Sequence, residues 1–452
     1  MRPQPFASTY LGIDLGTSFL KGAVLDLDTP AVRHVEREPF PDVLPGLPAL
    51  HREFDAEKIF AQVEALLERL AAHAPECQGL VLCTQMHGLV LVSREGEPLS
   101  HYLSWADQRA SGECFEEISR RIGPEERRQL GHEFRASLPL AMLFWFREHG
   151  ALPKGEVFPA SLGEYVAARL CRALPVFEAT DAAACGAVNL ETMSWHEDVL
   201  RKLGLESLRW PQIRKAGEAV GRWRGAPCFT PVGDQQCALV GSLLAEGELS
   251  LNIATGSQAA LISPRLEFGQ YTTRPYFDGR FLKTLTHIPG GRALNALIGL
   301  LTEMGGGEDP WAYIQEAVRG VPATDLRAHI AFYPGPCGDR GKLENLHEGN
   351  LTVGHVFRAA FESLAANYQA CAERLAPRDE WSRLVFSGGL ARNLEVLRSL
   401  IIERLRTEWR LSPSAEDTML GLLILALVFS GRQDSVRAAT EFFRAQGQKH
   451  LQ

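Results

Sequence analysis

The chain begins with a short apolar run, Tyr10–Asp14, that breaks at Asp14-Leu-Gly-Thr-Ser18, and a second apolar run, Lys21–Leu27, follows at once. Two such runs around small and polar residues predict a β-hairpin whose turn carries an acid, a glycine and two hydroxyls. Pro41–Pro48 is a proline-broken loop. Over Asp55–Ala72 the apolar positions Ile59, Val63, Leu66, Leu67 and Leu70 recur at helical spacing, predicting an amphipathic helix with Asp55 as its N-cap. Gly79–Thr84 and Leu89–Ser93 predict buried strands on either side of Gln85-Met-His-Gly88. Glu113–Leu205 is expected to be mainly helical, and Leu205–Arg224 to be a loop-rich connection. Asp234 opens an apolar helical run, Cys237–Ala245, and Glu246-Gly-Glu248 reads as a hinge.

The second half repeats the plan of the first. Leu249–Ile262 is again strand, small-residue turn (Thr255-Gly-Ser257) and strand, and this duplication predicts two similar α/β domains. Pro289-Gly-Gly291 opens a helix, Val353–Leu375 is a long helix, and Arg383–Phe386 is a strand running into Ser387-Gly-Gly-Leu-Ala-Arg-Asn393 and a further helix. Met419–Phe429, the longest apolar run, falls short of the ~20 residues a membrane span needs and is expected to be a buried core helix.

Composition narrows the function classes. A length of 452 residues favours two or more domains. A net charge of −8 lacks the basic face expected of a nucleic-acid binder, while leaving nucleotides open as ligands. The nine cysteines contain no CxxC, no pair closer than Cys77 and Cys83, and are expected to be reduced thiols of a cytoplasmic protein. Met1–Ser8 carries no basic-then-apolar signal. No membrane and no nucleic acid is therefore expected as a partner.

Several short patterns carry chemistry. Asp14-Leu-Gly-Thr-Ser18 with Lys21 could cradle phosphate through N–H groups and hydroxyls, with Asp14 near a magnesium ion; it could equally be an ordinary turn. The matching Thr255-Gly-Ser257 favours the first reading, since two turns can grip one polyphosphate. Ser387-Gly-Gly389 allows close approach of adenine or phosphate, or serves only packing. Asn393, a turn later, could reach the same ligand or be an exposed helical residue. His87 leaves a buried strand where α/β proteins present ligands, yet a lone histidine also occurs as a structural residue. Trp105 and Asp107 suit a sugar, as an indole face and a hydroxyl-binding carboxylate, although such a Trp can simply cover the core. Asp234 can take a hydroxyl proton, and an Asp there could also cap its helix.

Together these motifs resemble the FGGY carbohydrate kinases, and the resemblance runs from Gly12 to about Gly431 with every motif in order. Gly12-Ile-Asp-Leu-Gly-Thr-Ser18 and Asn252-Ile-Ala-Thr-Gly-Ser257 are similar to the two phosphate motifs, Gly233-Asp-Gln-Gln236 to the catalytic-aspartate motif, and Ser387-Gly-Gly389 with Asn393 to the adenosine motif. The resemblance implies an α/β fold of two actin-like (ribonuclease-H-like) domains with an interdomain cleft, expected here as 1–247 for sugar, first phosphate loop and catalytic Asp, and 248–452 for nucleotide. It implies transfer of the γ-phosphoryl of ATP to a sugar hydroxyl, with Mg2+. Asp234 is then the catalytic base, and Asp14 and Asp234 the metal residues. Gly16, Thr17, Ser18, Lys21, Thr255, Gly256 and Ser257 would hold the phosphates, and Gly290, Gly291, Gly388, Gly389 and Asn393 the adenosine. Met86, His87, Trp105, Asp107, Asp234 and Gln235 would face the sugar.

Gln85-Met-His-Gly88 and Trp105-Ala-Asp107 resemble the substrate loops of ketose kinases. Leu251–Thr255, Arg274-Pro-Tyr-Phe-Asp278 and Leu351–Val356 lean toward the sedoheptulokinase branch, and Thr180-Asp-Ala-Ala183 resembles a further ketose-contacting segment of that group. Xylulose, another ketose or a polyol is the alternative acceptor, and a non-catalytic sugar-binding regulator the alternative class. Gln108 departs from the Trp-x-Asp-Gly-Arg pattern, and the chain is short for the family. A homodimer is the assembly left open.

Overall fold

The computed structural model describes residues 8–302 and 310–449. The chain forms two compact units, one of Met1–Leu243, Thr273–Phe281 and Glu416–Gln452, the other of Leu244–Thr272 and Leu282–Ala415.

The first unit is built on a sheet in the order Ala219–Trp223, Ala226–Phe229, Leu80–Thr84, Thr9–Leu15, Phe19–Asp26, Ala31–Pro39, with Val232–Gly233 also pairing with Leu80–Thr84. Thr9–Leu15 and Phe19–Asp26 form the expected antiparallel hairpin, with Asp14 opposite Lys21. Thr9–Leu15 runs parallel to Leu80–Thr84, with Asp14 beside Cys83, and Val232–Gly233 pairs in parallel with Cys83–Thr84. Three neighbouring strands therefore end together, and their carboxyl ends deliver Asp14, Gln85 and Asp234 to one edge of the sheet, where open α/β sheets bind ligands.

The helix Ala56–Ala71 starts at Asp55, whose side chain accepts the Lys58 N–H, and its buried stripe includes Ile59, Val63, Leu66, Leu67 and Leu70. A Cβ at Gly22 would lie 2.5 Å from Leu70, so glycine lets this helix lie directly on the hairpin. The Glu113–Leu205 region holds six helices among the described residues, from Glu113–Arg121 to Glu197–Leu203, interrupted by short strands such as Val176–Glu178. Leu205–Arg224, expected as loop, contributes two strands, Gln212–Arg214 and Ala219–Trp223. The second is held because Val220 and Trp223 pack against the core beneath the sheet.

The helix Asp417–Phe429 is the buried core helix expected at Met419–Phe429, with Met419 and Gly421–Leu427 buried. It meets the helix Asp234–Gly241 at glycines on both sides. A Cβ on Gly241 would come within 1.8 Å of the Asp417 carbonyl oxygen, and one on Gly421 within 2.0 Å of the Cys237 carbonyl oxygen. A helix apolar all round must be covered all round. That contact keeps the last 37 residues with the first unit, so compactness does not follow a single cut after residue 247.

In the second unit the strands Phe281–Ile288, Ser257–Ser263, Glu248–Asn252, Arg383–Ser387 and Glu408–Leu411 lie side by side in that order. Glu248–Asn252 and Ser257–Ser263 form the second hairpin, and Glu248–Asn252 is parallel to Arg383–Ser387, with Asn252 opposite Ser387. The helix Val353–Leu375 spans the predicted residues and buries Phe357, Phe361, Leu364 and Tyr368 in a core shared with Leu249, Leu251 and Phe386. All nine cysteines are free thiols. Among the described residues no helix is long and apolar enough to cross a membrane.

Candidate functional site

In the first unit the centre of the site is a pair of acids. Asp234 is the first residue of the helix Asp234–Gly241, and Gly233, not Asp234, occupies the cap position, so the capping role open to Asp234 from sequence is not the one it has. The loop is fixed from behind, where the Gly233 N–H donates to Thr180 Oγ1 at 2.9 Å. Burial raises the Asp234 carboxyl to about 7, and the charges of Asp14 and Asp181 push the same way, against the Gln235 N–H and Arg274. Asp14 is buried, and burial raises its carboxyl as well, opposed by the Thr418 hydroxyl, which donates to Oδ2 at 2.7 Å, and by Lys21 at 4.0 Å. Lys21 is not free for a phosphate in this state: its Nζ lies 2.8 Å from Glu416, which also pairs with Arg37.

The turn after Asp14 presents Thr17 and Ser18 to solvent. Gln85 props it from below, its Nε2 donating to the Gly16 carbonyl oxygen at 3.3 Å while its Oε1 accepts from Thr17 at 3.5 Å. The Trp105 indole N–H donates to Thr17 Oγ1 at 3.2 Å, so the predicted sugar loop and the first phosphate turn are tied together. Trp105 stays 39% exposed, which leaves an indole face available. Asp107 has a different environment. It is wholly buried, accepts the N–H groups of Arg52 and Arg109, and pairs with the Arg109 guanidinium at 2.9 Å, which in turn meets Glu53 at 2.6 Å. Both of its oxygens serve the loop that carries Trp105.

His87 sits in the left-handed region at φ 70°. Next to it, Gly88 lies so close to Tyr102 that a Cβ would be 2.4 Å from the phenol oxygen. His87 Nε2 is 3.1 Å from Arg274 Nη2 and 3.2 Å from Arg135 Nη2. Burial, with the two guanidiniums, lowers the imidazole to about 4 against the pull of Glu133, so at neutral pH the ring is uncharged and Nε2 accepts from arginine. Glu133 is buried and receives Arg274 at 2.7 Å and Arg135 at 2.8 Å. Burial pushes its carboxyl up, and the two guanidiniums outweigh that and hold it well below the carboxylate range. Arg274 also donates to Gln235 Oε1 at 2.5 Å. Met86 is buried against Gly233, where a Cβ would be 3.0 Å from its sulfur.

The structure thus brings Asp14, Thr17, Trp105, Met86, His87, Asp234 and Gln235 to one region of the first unit. It adds Arg274 and Thr180, and also Glu133, Arg135, Glu416 and Thr418, for which sequence reasoning had no role. The Arg274–Asp278 segment stood out only as a branch feature, and Thr180–Ala183 by its resemblance to a ketose-contacting segment.

In the second unit the second turn, the Gly-Gly pair and the strand–helix junction meet. The N–H groups of Gly291 and Arg292 donate to the carbonyl oxygens of Ala254 and Thr255, both at 2.9 Å, and the N–H of Leu390 donates to that of Ile253 at 3.1 Å. Contact is close enough to require glycine. A Cβ on Gly290 would be 2.2 Å from Ser257 Oγ, and one on Gly388, at φ +85°, would be 2.7 Å from the Ile253 carbonyl oxygen. Thr255, Gly256 and Gly389 are exposed, with open space beside both glycines, while Ser257 is buried beneath Gly290. Asn393 is exposed at the end of the one-turn helix Gly389–Asn393. Exposed backbone N–H groups, a hydroxyl and open glycine surface can accommodate a phosphate and a flat base.

Asp14 and Asp234, both raised by burial and Asp234 further by the charge of Asp14, form a site where a divalent cation would lower the energy. Among the described residues no group of three or more His, Cys, Asp or Glu could hold a metal alone. Magnesium fits such a site, since it is commonly held by one or two carboxylates together with substrate phosphates.

Comparison with known proteins gives the family and the fold. Residues 9–241 match the model of the FGGY family of carbohydrate kinases, N-terminal domain. Sedoheptulokinase of Mus musculus is 24% identical over 86% of this chain and 91% of its own length. Gluconokinase of Bacillus subtilis is 24% identical over 96% of this chain and 90% of its own. Among solved structures, ligand-bound xylulose kinase from Lactobacillus acidophilus superposes with a TM-score of 0.86 at 18% identity, covering 96% of this chain and 92% of that one. Glycerol kinase of Plasmodium falciparum with ADP gives 0.83 at 17% identity, covering 97% and 92%. These likenesses show the fold, two actin-like, ribonuclease-H-like domains.

Proposed function

The chain belongs to the FGGY family of carbohydrate kinases, and from that premise we propose that it transfers the γ-phosphoryl group of ATP to a terminal hydroxyl of a ketose, with sedoheptulose as the leading acceptor and xylulose, another ketose or a polyol as the alternative. Its membership makes it an enzyme that phosphorylates a sugar, and ATP use follows from the family. The observation that carries the chemistry is Asp234, a carboxyl at about 7 on the first turn of a helix at the sheet edge, beside Asp14. A base whose pKa lies near working pH combines the right protonation state with driving force. As the acceptor oxygen bonds to the γ-phosphorus and the bond to the ADP oxygen breaks, Asp234 takes the hydroxyl proton. Phosphoryl transfer has a loose transition state, so positioning and charge neutralisation supply most of the acceleration.

Magnesium, held by Asp14 and Asp234 with the nucleotide's phosphates, would neutralise charge on those phosphates. Gly16, Thr17, Ser18 and Lys21 from the first turn, and Thr255, Gly256 and Ser257 from the second, would bind phosphate, Lys21 exchanging Glu416 for it. Gly290, Gly291, Gly388, Gly389 and Asn393 would receive adenosine. Trp105 would stack on the sugar, with Met86, His87 and Gln235 around it, while Asp107 keeps that loop in shape. Sedoheptulose ranks first because the Leu251–Thr255, Arg274–Asp278 and Leu351–Val356 segments lean toward the sedoheptulokinase branch, and a sedoheptulokinase is among the relatives that span most of both chains.

One observation favours a second reading. Around His87 two guanidiniums face one carboxylate and a neutral imidazole, leaving a positive excess that would suit a sugar acid, the acceptor class named by the gluconokinase relative. ADP release measured across ketoses, polyols and aldonates, with Asp234→Asn as background, separates the readings. Turnover highest on sedoheptulose supports the first; turnover highest on an aldonate replaces it; none above background on any member refutes both.

A further inference from the structure

Within the first unit lies a cavity of about 1100 Å³, and none of the residues assigned above to sugar, metal or nucleotide lines it. Ligand pockets commonly span roughly 300–1,000 Å³ and are apolar with a few convergent polar groups. Here Ile213, Phe277, Phe281, Val428 and Phe429 contribute the apolar surface, and charged side chains rim it.

The carboxylates of the rim already accept hydrogen bonds from the chain. Asp278 accepts the N–H groups of Val436 at 3.2 Å and Arg437 at 2.9 Å, and pairs with Arg280 at 3.1 Å. Glu178 accepts both the N–H and the hydroxyl of Thr180, and Glu218 accepts the Lys215 N–H at 3.3 Å. The cations differ. Arg214 donates to two neutral oxygens, those of Ala219 at 3.0 Å and Gln212 at 3.4 Å, and no carboxylate pairs with the Arg214 or Lys215 side chain among the described residues. Arg214 and Lys215 are thus cations of this wall without a carboxylate partner, and Glu218 beside them keeps its own charge.

Two walls connect to the reactive residues. Glu178 holds Thr180, whose oxygen receives the Gly233 N–H at 2.9 Å, immediately before Asp234. The Pro275 carbonyl oxygen accepts from Gln236 Nε2 at 3.2 Å, and the preceding residue, Arg274, binds Gln235 and Glu133. Displacing either wall moves the neighbours of Asp234. We propose that this cavity binds a small organic anion with a flat apolar body, its charge on Arg214 and Lys215, and that occupancy shifts the catalytic loop through Thr180 and Arg274. Binding stands apart from the acceptor proposal; the shift is read on whichever sugar the kinase accepts.

The test uses 1-anilinonaphthalene-8-sulfonate, an apolar anion whose fluorescence rises on burial, with the full chain and saturating Mg–ADP to occupy the nucleotide site. The expected result is one probe per chain. Reversing both rim charges, Arg214→Glu with Lys215→Glu, should weaken binding about tenfold, the scale of two partly exposed ion pairs turned repulsive. Filling the space with Ile213→Trp should abolish binding. Probe should also change KM for the sugar in the unsubstituted enzyme and not in Ile213→Trp, each protein being compared with its own probe-free value. Unaltered affinity in the charge-reversed protein, or loss of all fluorescence on adding Mg–ADP, overturns the site. Saturating binding with no kinetic effect overturns the coupling. If no sugar is phosphorylated, the binding measurements still decide the site, and the failure belongs to the functional reading.

Discussion

Replacing Asp234 by Asn tests the base assignment through two independent quantities. The folded structure raises this carboxyl from 3.8 to about 7. Each unit is worth about 1.36 kcal/mol, so ionising Asp234 in the folded protein without ligands costs up to roughly 4 kcal/mol. The side chain is only partly shielded from water, and half that figure, about 2 kcal/mol, is the expected net effect. The sign follows from the direction of the shift. A carboxyl raised on folding contributes no penalty below the unfolded value near 4, a growing one as pH rises, and the full one above about 7. Asn cannot ionise, so the variant should be more stable than the parent at pH 8 by about 2 kcal/mol, with the gain fading as pH falls toward about 4. Its turnover should meanwhile drop roughly 10²–10⁴-fold, as expected for loss of a general base. Urea unfolding at several pH values and coupled ADP release measure the two quantities on one preparation. A stability change independent of pH would refute the ionisation argument, and near-parental turnover would refute the base assignment. Gain in one with loss in the other is what a site held at a strained charge state produces.

Two further substitutions probe the halves of the site separately. Gly290→Ala would place a Cβ 2.2 Å from Ser257 Oγ and 2.9 Å from the Ala254 carbonyl oxygen, so the second turn must move; KM for ATP should rise about tenfold with KM for sugar unchanged, and equal changes in both would contradict a nucleotide-only role. Arg274→Met removes one of the two guanidiniums at the buried Glu133 and the donor to Gln235. It should destabilise the fold by about 3 kcal/mol, the low end for breaking a buried pair because Arg135 remains, and raise KM for sugar while leaving KM for ATP alone. A neutral effect on denaturant midpoint would show that Arg135 satisfies Glu133 unaided.

The parts of this fold that were legible in the sequence are those determined by neighbours in the chain. The hairpin around Asp14, the Asp55-capped helix and the helix Val353–Leu375 announce themselves by period and cap. Gly290 and Gly388 were legible for a related reason: each sits at an element boundary, and the structure shows a backbone approach that tolerates no side chain. What stayed hidden depends on partners far away in sequence. Glu416 lies 395 residues from Lys21, so a lysine that local pattern assigns to phosphate carries a carboxylate partner that no local pattern reveals. The strand Ala219–Trp223 was missed because Val220 and Trp223 pack on a core formed elsewhere in the chain, and Gln212–Arg214 because its partner strand is Val176–Glu178.

His87 shows the same limit at the level of chemistry. Read alone it was a histidine beside a buried strand, either a sugar donor or a structural ring. Its character is set by Arg135 and Arg274, 48 and 187 residues away, which together with burial keep it neutral and turn Nε2 into an acceptor. With Nε2 facing two guanidiniums, the donors that the proposed sugar site would offer in this corner are the arginines themselves. Arg135, 31% exposed in its side chain where Arg274 is 3%, is the one an incoming acceptor can reach. A neutral hydroxyl gains one ordinary hydrogen bond from it, whereas a carboxylate gains a charge-assisted one, roughly twice as strong. On the proposed reading, the preference between a ketose and a sugar acid would turn on a residue that no motif contains, and a sequence pattern leaves such a residue out.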